Sequence, residues 1–280
     1  MPELPEVESV CRIMRSALVG HELADVEVAE DNIVLTGLPA DLVRTAVLGA
    51  TVTGVGRKGK FWWLELDRKP WLFGHLGMAG WIRELGEPTA RLREHGKAPL
   101  DDEEGKPRFL KILLTSSNGR RIAMTDGRRL ARLWLGESPQ TDERVARLGP
   151  DAFTDLPSSE ALLNKWKGRT APIKGMLLDQ AQVSGVGNYL ADEALYQAGI
   201  SPKREAGSLK VKEIDKLRNV LHHVLEQAIE VGADSDKFPP EWLFHHRWGG
   251  SKGADLIEGQ QILRETVAGR TTAWVPSRQK

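Results

Sequence analysis

The sequence predicts an α+β protein: an antiparallel β-sandwich with one flanking helix over residues 1–135, followed by a mainly helical half. Three observations carry this. Val7, Val10, Cys11, Met14 and Leu18 recur at helical spacing near the start. Residues 21 to 135 hold short β-rich runs broken by turn residues, and residues 158 to 231 return to a helical period. A chain of 280 residues with 40% hydrophobic content is enough for two domains, each with its own core.

The first helix spans Pro5 to Leu18, with Pro5 in its first turn and Gly20 as its stop. Strands are expected at Leu23 to Val28, Ala50 to Val55, Lys60 to Leu66, Trp71 to Leu76, Arg108 to Thr115 and Arg120 to Met124. Ser117-Asn118-Gly119 turns the last pair. Residues 87 to 107 carry Arg91, Arg93, Glu94, Lys97, Asp101, Asp102, Glu103 and Glu104 and read as a solvated loop. In the second half, Ser158 or Ser159 caps a helix to about Lys167, and another spans Pro172 to about Ala181. Gly185-Val186-Gly187 makes two tight turns before a helix from Asn188 to Ala198, closed by Gly199. A longer helix covers Ser208 to Val231. From Trp248 onward short β signals return, and Gly269-Arg270-Thr271-Thr272 reads as a hairpin turn that presents an arginine. These changes set expected boundaries of 1–135, a linker 136–150, a helical domain 151–240 and a tail 241–280.

Composition narrows the function. Lys and Arg total 39 and so do Asp and Glu, so any anionic partner must be met by local clusters rather than by a global field. The single Cys11 excludes a disulfide framework and a cysteine-built zinc site, and fits a reducing, bacterial-type cytosol. Apolar runs fall short of membrane-spanning length, and Pro2, Glu3, Pro5, Glu6 and Glu8 break up any signal-like start. The expectation is a cytoplasmic monomer.

Five short pieces carry possible chemistry. Loss of Met1 from Met1-Pro2-Glu3-Leu4-Pro5-Glu6 would leave Pro2 a secondary amine; α-amino groups titrate near ~8, so a usable fraction is nucleophilic at neutral pH. Glu3 stands ready to move protons, although the same residues also suit the plain start of a helix. Gly56-Arg57-Lys58-Gly59-Lys60 sets three cations among glycines, as a backbone approaching phosphates requires. His75-Leu76-Gly77-Met78-Ala79-Gly80 puts a long flexible side chain on a glycine-rich tip. Asp126-Gly127-Arg128-Arg129-Leu130 joins two arginines to an apolar residue. The turn before Asn188 points backbone amides at a helix start, a site for an anionic oxygen, with Lys165, Lys167, Arg169 and Lys174 upstream. Each piece alone is also an ordinary loop.

In this order the motifs resemble those of the Fpg/Nei family, the formamidopyrimidine-DNA and endonuclease-VIII-type glycosylases. Pro2-Glu3-Leu4-Pro5-Glu6-Val7-Glu8 resembles the family's amino-terminal motif, and residues 75–80 and 125–130 resemble its void-filling and intercalation loops. Leu148-Gly149-Pro150-Asp151 and residues 186–193 resemble its helix–two-turns–helix element, and residues 269–272 the turn of its finger. The resemblance spans nearly the whole chain. It implies a glycosylase and abasic-site lyase of base excision repair that acts on double-stranded DNA with damaged bases or abasic sites and uses no cofactor. Pro2 would attack the sugar and Glu3 would assist ring opening. Lys60 and Arg270 would complete the catalytic set by gripping phosphates, together with the DNA-binding Lys174 and Asn188. Extruding a base costs a few kcal/mol of unstacking, and Met78, Arg129 and Leu130 would fill the hole it leaves. Glu6 and Glu193 would stand behind the reacting groups, or anchor the helix and loop there.

Departures from the family pattern refine this. The cysteine positions of the family's zinc finger hold Asp255, Glu258, Val275 and Arg278, so the tail resembles a zincless β-hairpin finger with no metal. Packing of Ile262, Val267 and Trp274, with Arg278 paired to Asp255 or Glu258, would replace the ion. Leu130 stands where purine-directed members carry phenylalanine and Gly127 where they carry proline, and the segment between Val231 and Trp248 is short. These differences point away from 8-oxoguanine and toward oxidised pyrimidines, formamidopyrimidines, ring-opened products or abasic sites. The alternative is a non-catalytic binder of damaged or abasic DNA on the same scaffold, against which the intact Pro2-Glu3 pair argues.

Overall fold

The computed structural model describes residues 2–88, 98–103, 105–249 and 255–280. It divides into two compact units, Met1–Arg147 with Gly232–Asp236 and Leu148–Val231 with Lys237–Lys280.

The first unit starts with α1 (Leu4–Leu18), whose buried face carries Leu4, Val7, Cys11, Met14 and Leu18. Pro5 sits in the first turn, where its missing N–H costs nothing. Then come β1 (Leu23–Val28), α2 (Ala40–Val47), β2 (Val52–Lys58), β3 (Phe61–Leu66), β4 (Trp71–His75), β5 (Trp81–Glu84), β6 (Leu110–Ser116), β7 (Arg121–Thr125), β8 (Arg132–Gly136) and the single turn α3 (Glu143–Ala146). The strands form two four-stranded antiparallel sheets, ordered β1-β6-β7-β5 and β2-β3-β4-β8. Val26, Ile112, Leu114, Ile122 and Met124 from the first sheet share one core with Val52, Trp62, Leu64, Leu72 and Leu133 from the second. Val7, Cys11 and Met14 of α1 and Val43 and Val47 of α2 close it. Arg57 ties β2 to α1 through Glu8 at 3.0 Å, and Arg15 donates to the Val55 carbonyl at 3.1 Å.

Three elements depart from the sequence reading. The Ala40–Val47 stretch is β-branched enough to pass for strand or loop, but Ala40, Val43 and Val47 share one helical face and bury it. β5 and β8 were not expected. Four-residue β5 is fixed by pairing with β7, and β8 by pairing with β4, both long-range partners that local pattern does not reveal. Of the charged segment 87–107, Arg91, Arg93, Glu94, Lys97 and Glu104 lie outside the described residues; Asp101 pairs with Arg83 on β5.

The second unit contains α4 (Ser159–Trp166), α5 (Ile173–Leu178), α6 (Asn188–Ala198), α7 (Val211–Glu230), β9 (Leu256–Ile257), β10 (Gln260–Gln261), β11 (Leu263–Val267) and β12 (Arg270–Trp274). Ser158 caps α4 by accepting the Ala161 N–H at 3.2 Å, and Gly199 ends α6 in the left-handed region. From Tyr189 to Tyr196 every residue of α6 is buried, which makes it the central helix of this unit. β11 and β12 form a hairpin turned by Ala268 and Gly269 at φ 49° and 72°, the two positive values that a tight primed turn needs. Ile257, Ile262, Ala273 and Val275 pack with Tyr196 and Leu243 beneath it. Thus Ile262 joins the finger core, while Val267 and Trp274 are buried outside that cluster. Arg278 reaches Glu258 at 3.3 Å and lies 4.3 Å above the Tyr196 ring, and Asp255 pairs with Arg264 at 2.6 Å. Among the described residues, no helix is long and apolar enough to cross a membrane.

Candidate active site and DNA-binding surface

Pro2 and Glu3 lie directly ahead of α1 and both are buried. Glu3 is the cap residue of the helix, and Glu6, one turn in, accepts its backbone N–H at 2.9 Å. Glu6 is thereby committed to fixing the backbone at the residue expected to handle protons. While Met1 is attached the Pro2 nitrogen is an amide; only its removal frees the amine.

Lys60 follows Gly59 in the turn between β2 and β3 and is buried. Its charge is felt at His75, the last residue of β4. Burial first, then the positive charges of Lys60 and Arg132, push the His75 imidazole down to about 4, so it is neutral at physiological pH. Its Nδ1 accepts the Gly77 N–H at 3.0 Å, which leaves the proton on Nε2. His75 therefore shapes the loop that carries Met78, a function the sequence reading did not assign to it.

Met78 is 46% exposed at the tip of that loop. The loop packs backbone to backbone on the Arg129–Leu130 loop: a Cβ at Gly77, whose φ is +62°, would overlap the Leu130 carbonyl. The loop carrying Met78 and the loop carrying Arg129 and Leu130 are thus packed together. Asp126, fully buried, organises the second loop by accepting the N–H groups of Arg128, Leu130 and Ala131 at 2.9, 2.6 and 2.7 Å. Arg129 holds a left-handed backbone (φ 57°), and its guanidinium grips Asp31. Asp31 also accepts Lys111 Nζ at 2.8 Å. Burial alone would raise the Asp31 carboxyl; hydrogen bonds from Arg129 and Lys111 outweigh it and hold the group well below the usual carboxylate range.

In the second unit Arg270 projects, exposed, from the hairpin turn. Asn188 at the head of α6 donates to the Thr271 carbonyl at 2.9 Å. Lys174, expected to grip a phosphate, is fully buried, and its ammonium meets Asp192 at 2.6 Å and the Thr272 hydroxyl at 2.7 Å. Arg247 meets the other Asp192 oxygen at 3.0 Å, and the Ala273 N–H donates to the same atom at 3.2 Å. Two cations and one carboxylate therefore brace the strand that carries Arg270. Glu193 is buried too: it accepts Gln197 Nε2 and the Phe244 N–H, each at 2.8 Å, and burial pushes it up to about 7 despite these bonds. It anchors the segment after α7, where Phe238, Trp242 and Phe244 cluster with Tyr189.

Residues 1–133 match the family model of the formamidopyrimidine-DNA glycosylase N-terminal domain, and residues 148–239 match its H2TH domain. The chain belongs to the formamidopyrimidine-DNA glycosylase family. It is 37% identical over 280 residues to such an enzyme from Arabidopsis thaliana, covering 100% of this chain and 71% of that one. With the Rhizorhabdus wittichii enzyme it shares 34% identity over 290 residues and the full length of both. Among solved structures, Lactococcus lactis Fpg bound non-covalently to DNA containing an AP site gives a TM-score of 0.79 at 25% identity, over 99% of each chain. A MutM complex with DNA containing carbocyclic 8-oxo-G gives 0.79 at 26%, over 100% of each.

The Fpg family's N-terminal domain falls within the first unit and its H2TH domain mostly within the second. This member is a DNA glycosylase of base excision repair, and its partner is DNA with damaged bases. Asp31, Asp126, His75 and Asp192, which hold its expected contact residues in place, were not foreseen from sequence. Asp126 and His75 stand within visible motifs, but only the structure gives Asp126 its three backbone partners.

Proposed function

We propose that this glycosylase is bifunctional, joining base excision to cleavage of the abasic site through Pro2. With Met1 gone, the Pro2 nitrogen attacks C1′ of the damaged nucleotide. The C1′–base bond breaks and the base leaves with the electron pair, taking up the proton that the Pro2 nitrogen gives up. Glu3 protonates the ring oxygen as the sugar opens, leaving an iminium between Pro2 and C1′. That cation acidifies C2′; loss of a C2′ proton expels the 3′ phosphate, and a second elimination expels the 5′ phosphate. The observation that carries this reading is the placement of Pro2 and Glu3 together at the head of a capped, buried helix. Lys60 and Arg270 bind phosphates flanking the lesion, and Asn188 and Lys174 hold the Arg270 turn.

Gly127, Leu130 and the short, packed segment between Val231 and Trp248 favour oxidised pyrimidines, formamidopyrimidines or abasic sites over 8-oxoguanine. Borohydride trapping on abasic duplex tests the chemistry: the parent should become covalently linked to DNA and Pro2→Gly should not. Equal trapping by both would sink the amine mechanism, and no trapping by the parent would favour a binder. Excision rates on thymine glycol, formamidopyrimidine and 8-oxoguanine duplexes test the lesion class, with 8-oxoguanine slowest.

A further inference from the structure

We propose that Phe109 is a base-stacking residue, a further member of the surface formed by Met78, Arg129 and Leu130. This rests on the wedge reading of those residues. Phe109 is 52% exposed, and it is the exposed aromatic of the first unit among the described residues. Its φ of +61° is a conformation that bulky side chains rarely adopt. That backbone is held because the Phe109 carbonyl accepts the N–H of Asp126, the residue that organises the Arg129 loop, at 3.0 Å. The ring is laid against the same loop, since a Cβ at Gly127 would sit 3.2 to 3.4 Å from three of its carbons. A side chain at 127 would press the ring aside by a few tenths of an ångström.

Burial does not account for a phenylalanine held this way, because half its surface stays in water. Contact with a flat apolar partner does. Arg108 stands 5.5 Å from the ring centroid, and Arg128, exposed, follows Gly127 in the loop against which the ring lies, so the ring has a cation over it and another close in sequence, both of a type suited to phosphates. A half-exposed ring with a guanidinium 5.5 Å from its centroid fits a nucleobase of the distorted duplex, stacked next to the extruded nucleotide. Stacking tolerates any base, so this contact adds affinity for opened DNA without reading sequence.

The test uses the full chain and a duplex with a tetrahydrofuran abasic analogue opposite 2-aminopurine, reading Kd and the fluorescence change. Phe109→Gly removes the ring and suits the positive φ, so its Tm should equal or exceed that of the parent, while Kd should rise about tenfold. Phe109→Trp should restore affinity and Phe109→Leu should not. Met78→Ala and Arg129→Ala run in parallel. If these two impair binding while Phe109→Gly does not, the stacking assignment falls and the wedge stands. If none of the three matters, the wedge reading falls as well. Full rescue by leucine, or a Tm several degrees lower in the glycine variant, would mark the ring as packing and overturn the inference.

Discussion

Arg129 and Asp31 are joined by three charge-assisted hydrogen bonds of 2.8 to 3.1 Å, although half of the arginine side chain faces solvent. A long side chain meant to enter DNA would lose much entropy on ordering; a buried carboxylate behind it bears that loss in advance. Because Asp31 also neutralises Lys111, the loop of the proposed wedge is tied to the core through one carboxylate.

Asp31→Asn should therefore act on stability and on DNA opening together. At neutral pH it leaves the Lys111 ammonium buried and poorly compensated, a loss of roughly 3 kcal/mol. The native carboxyl is depressed, so its stabilising contribution is full above the unfolded value near ~3.9 and disappears as pH falls through the lower native one. Melting from pH 7 to pH 3 should show that acid loss in the parent and a flatter curve in Asp31→Asn. Parallel curves would deny the linkage.

Gly77→Ala tests the contact between the two loops. The added Cβ meets backbone at Leu130 rather than a yielding side chain, at a left-handed φ that alanine dislikes. Displacing the Met78 loop should cost about 1 to 3 kcal/mol of stability and slow excision of a paired base more than cleavage of a preformed abasic site, where no base is extruded. Equal slowing of both steps would separate this contact from extrusion.

How much of this was legible is clearest at particular residues. The period of Val7, Cys11, Met14 and Leu18 and the glycine at 269 are local signals, and both α1 and the hairpin follow from them, although the turn falls on Ala268-Gly269 and Arg270 to Thr272, expected in it, pair as strand. Met78, Arg129 and Leu130, the proposed wedge, were visible as residues of motifs that resemble the family's loops. Their supports were not. Asp31 lies 98 residues from Arg129 in the chain, and Asp192 is 18 residues from Lys174, so only the folded chain reveals the pairings. Lys174 shows the same limit: a lysine near a phosphate-like turn suggests an anion contact, and the sequence does not show that a buried aspartate on the neighbouring helix pairs with it.

Glu193 gives a pH signature opposite to that of Asp31. Its native value, raised by burial to about 7, exceeds that of an unfolded glutamate near ~4.3, so the folded protein binds more protons between these values. Stability should fall as pH rises through that window and level off above it. Glu193→Gln should remove this slope, because the amide does not ionise, while its carbonyl still accepts from one of the two present donors, the Phe244 N–H or Gln197 Nε2. Melts from pH 4.5 to 8 read it directly; an unchanged slope in the variant would place the titration elsewhere.

Salt dependence separates a cation that touches DNA from one that braces the finger. Removing one phosphate-binding cation should make the plot of log K against log salt shallower by about 0.9 for duplex DNA. Arg270, exposed on its turn, should give that change on mutation to alanine, with little effect on Tm. Lys174→Met should do the reverse. With the ammonium gone, Asp192 keeps Arg247 but is deprived of its 2.6 Å partner inside the protein, a destabilisation of about 3 kcal/mol or more, and any drop in affinity should leave the salt slope near that of the parent. The two variants thus differ in kind: a shallower slope without melting for Arg270, and melting without a change of slope for Lys174. A shallower slope in Lys174→Met at unchanged Tm would mean that this lysine leaves Asp192 when DNA binds and touches the backbone itself.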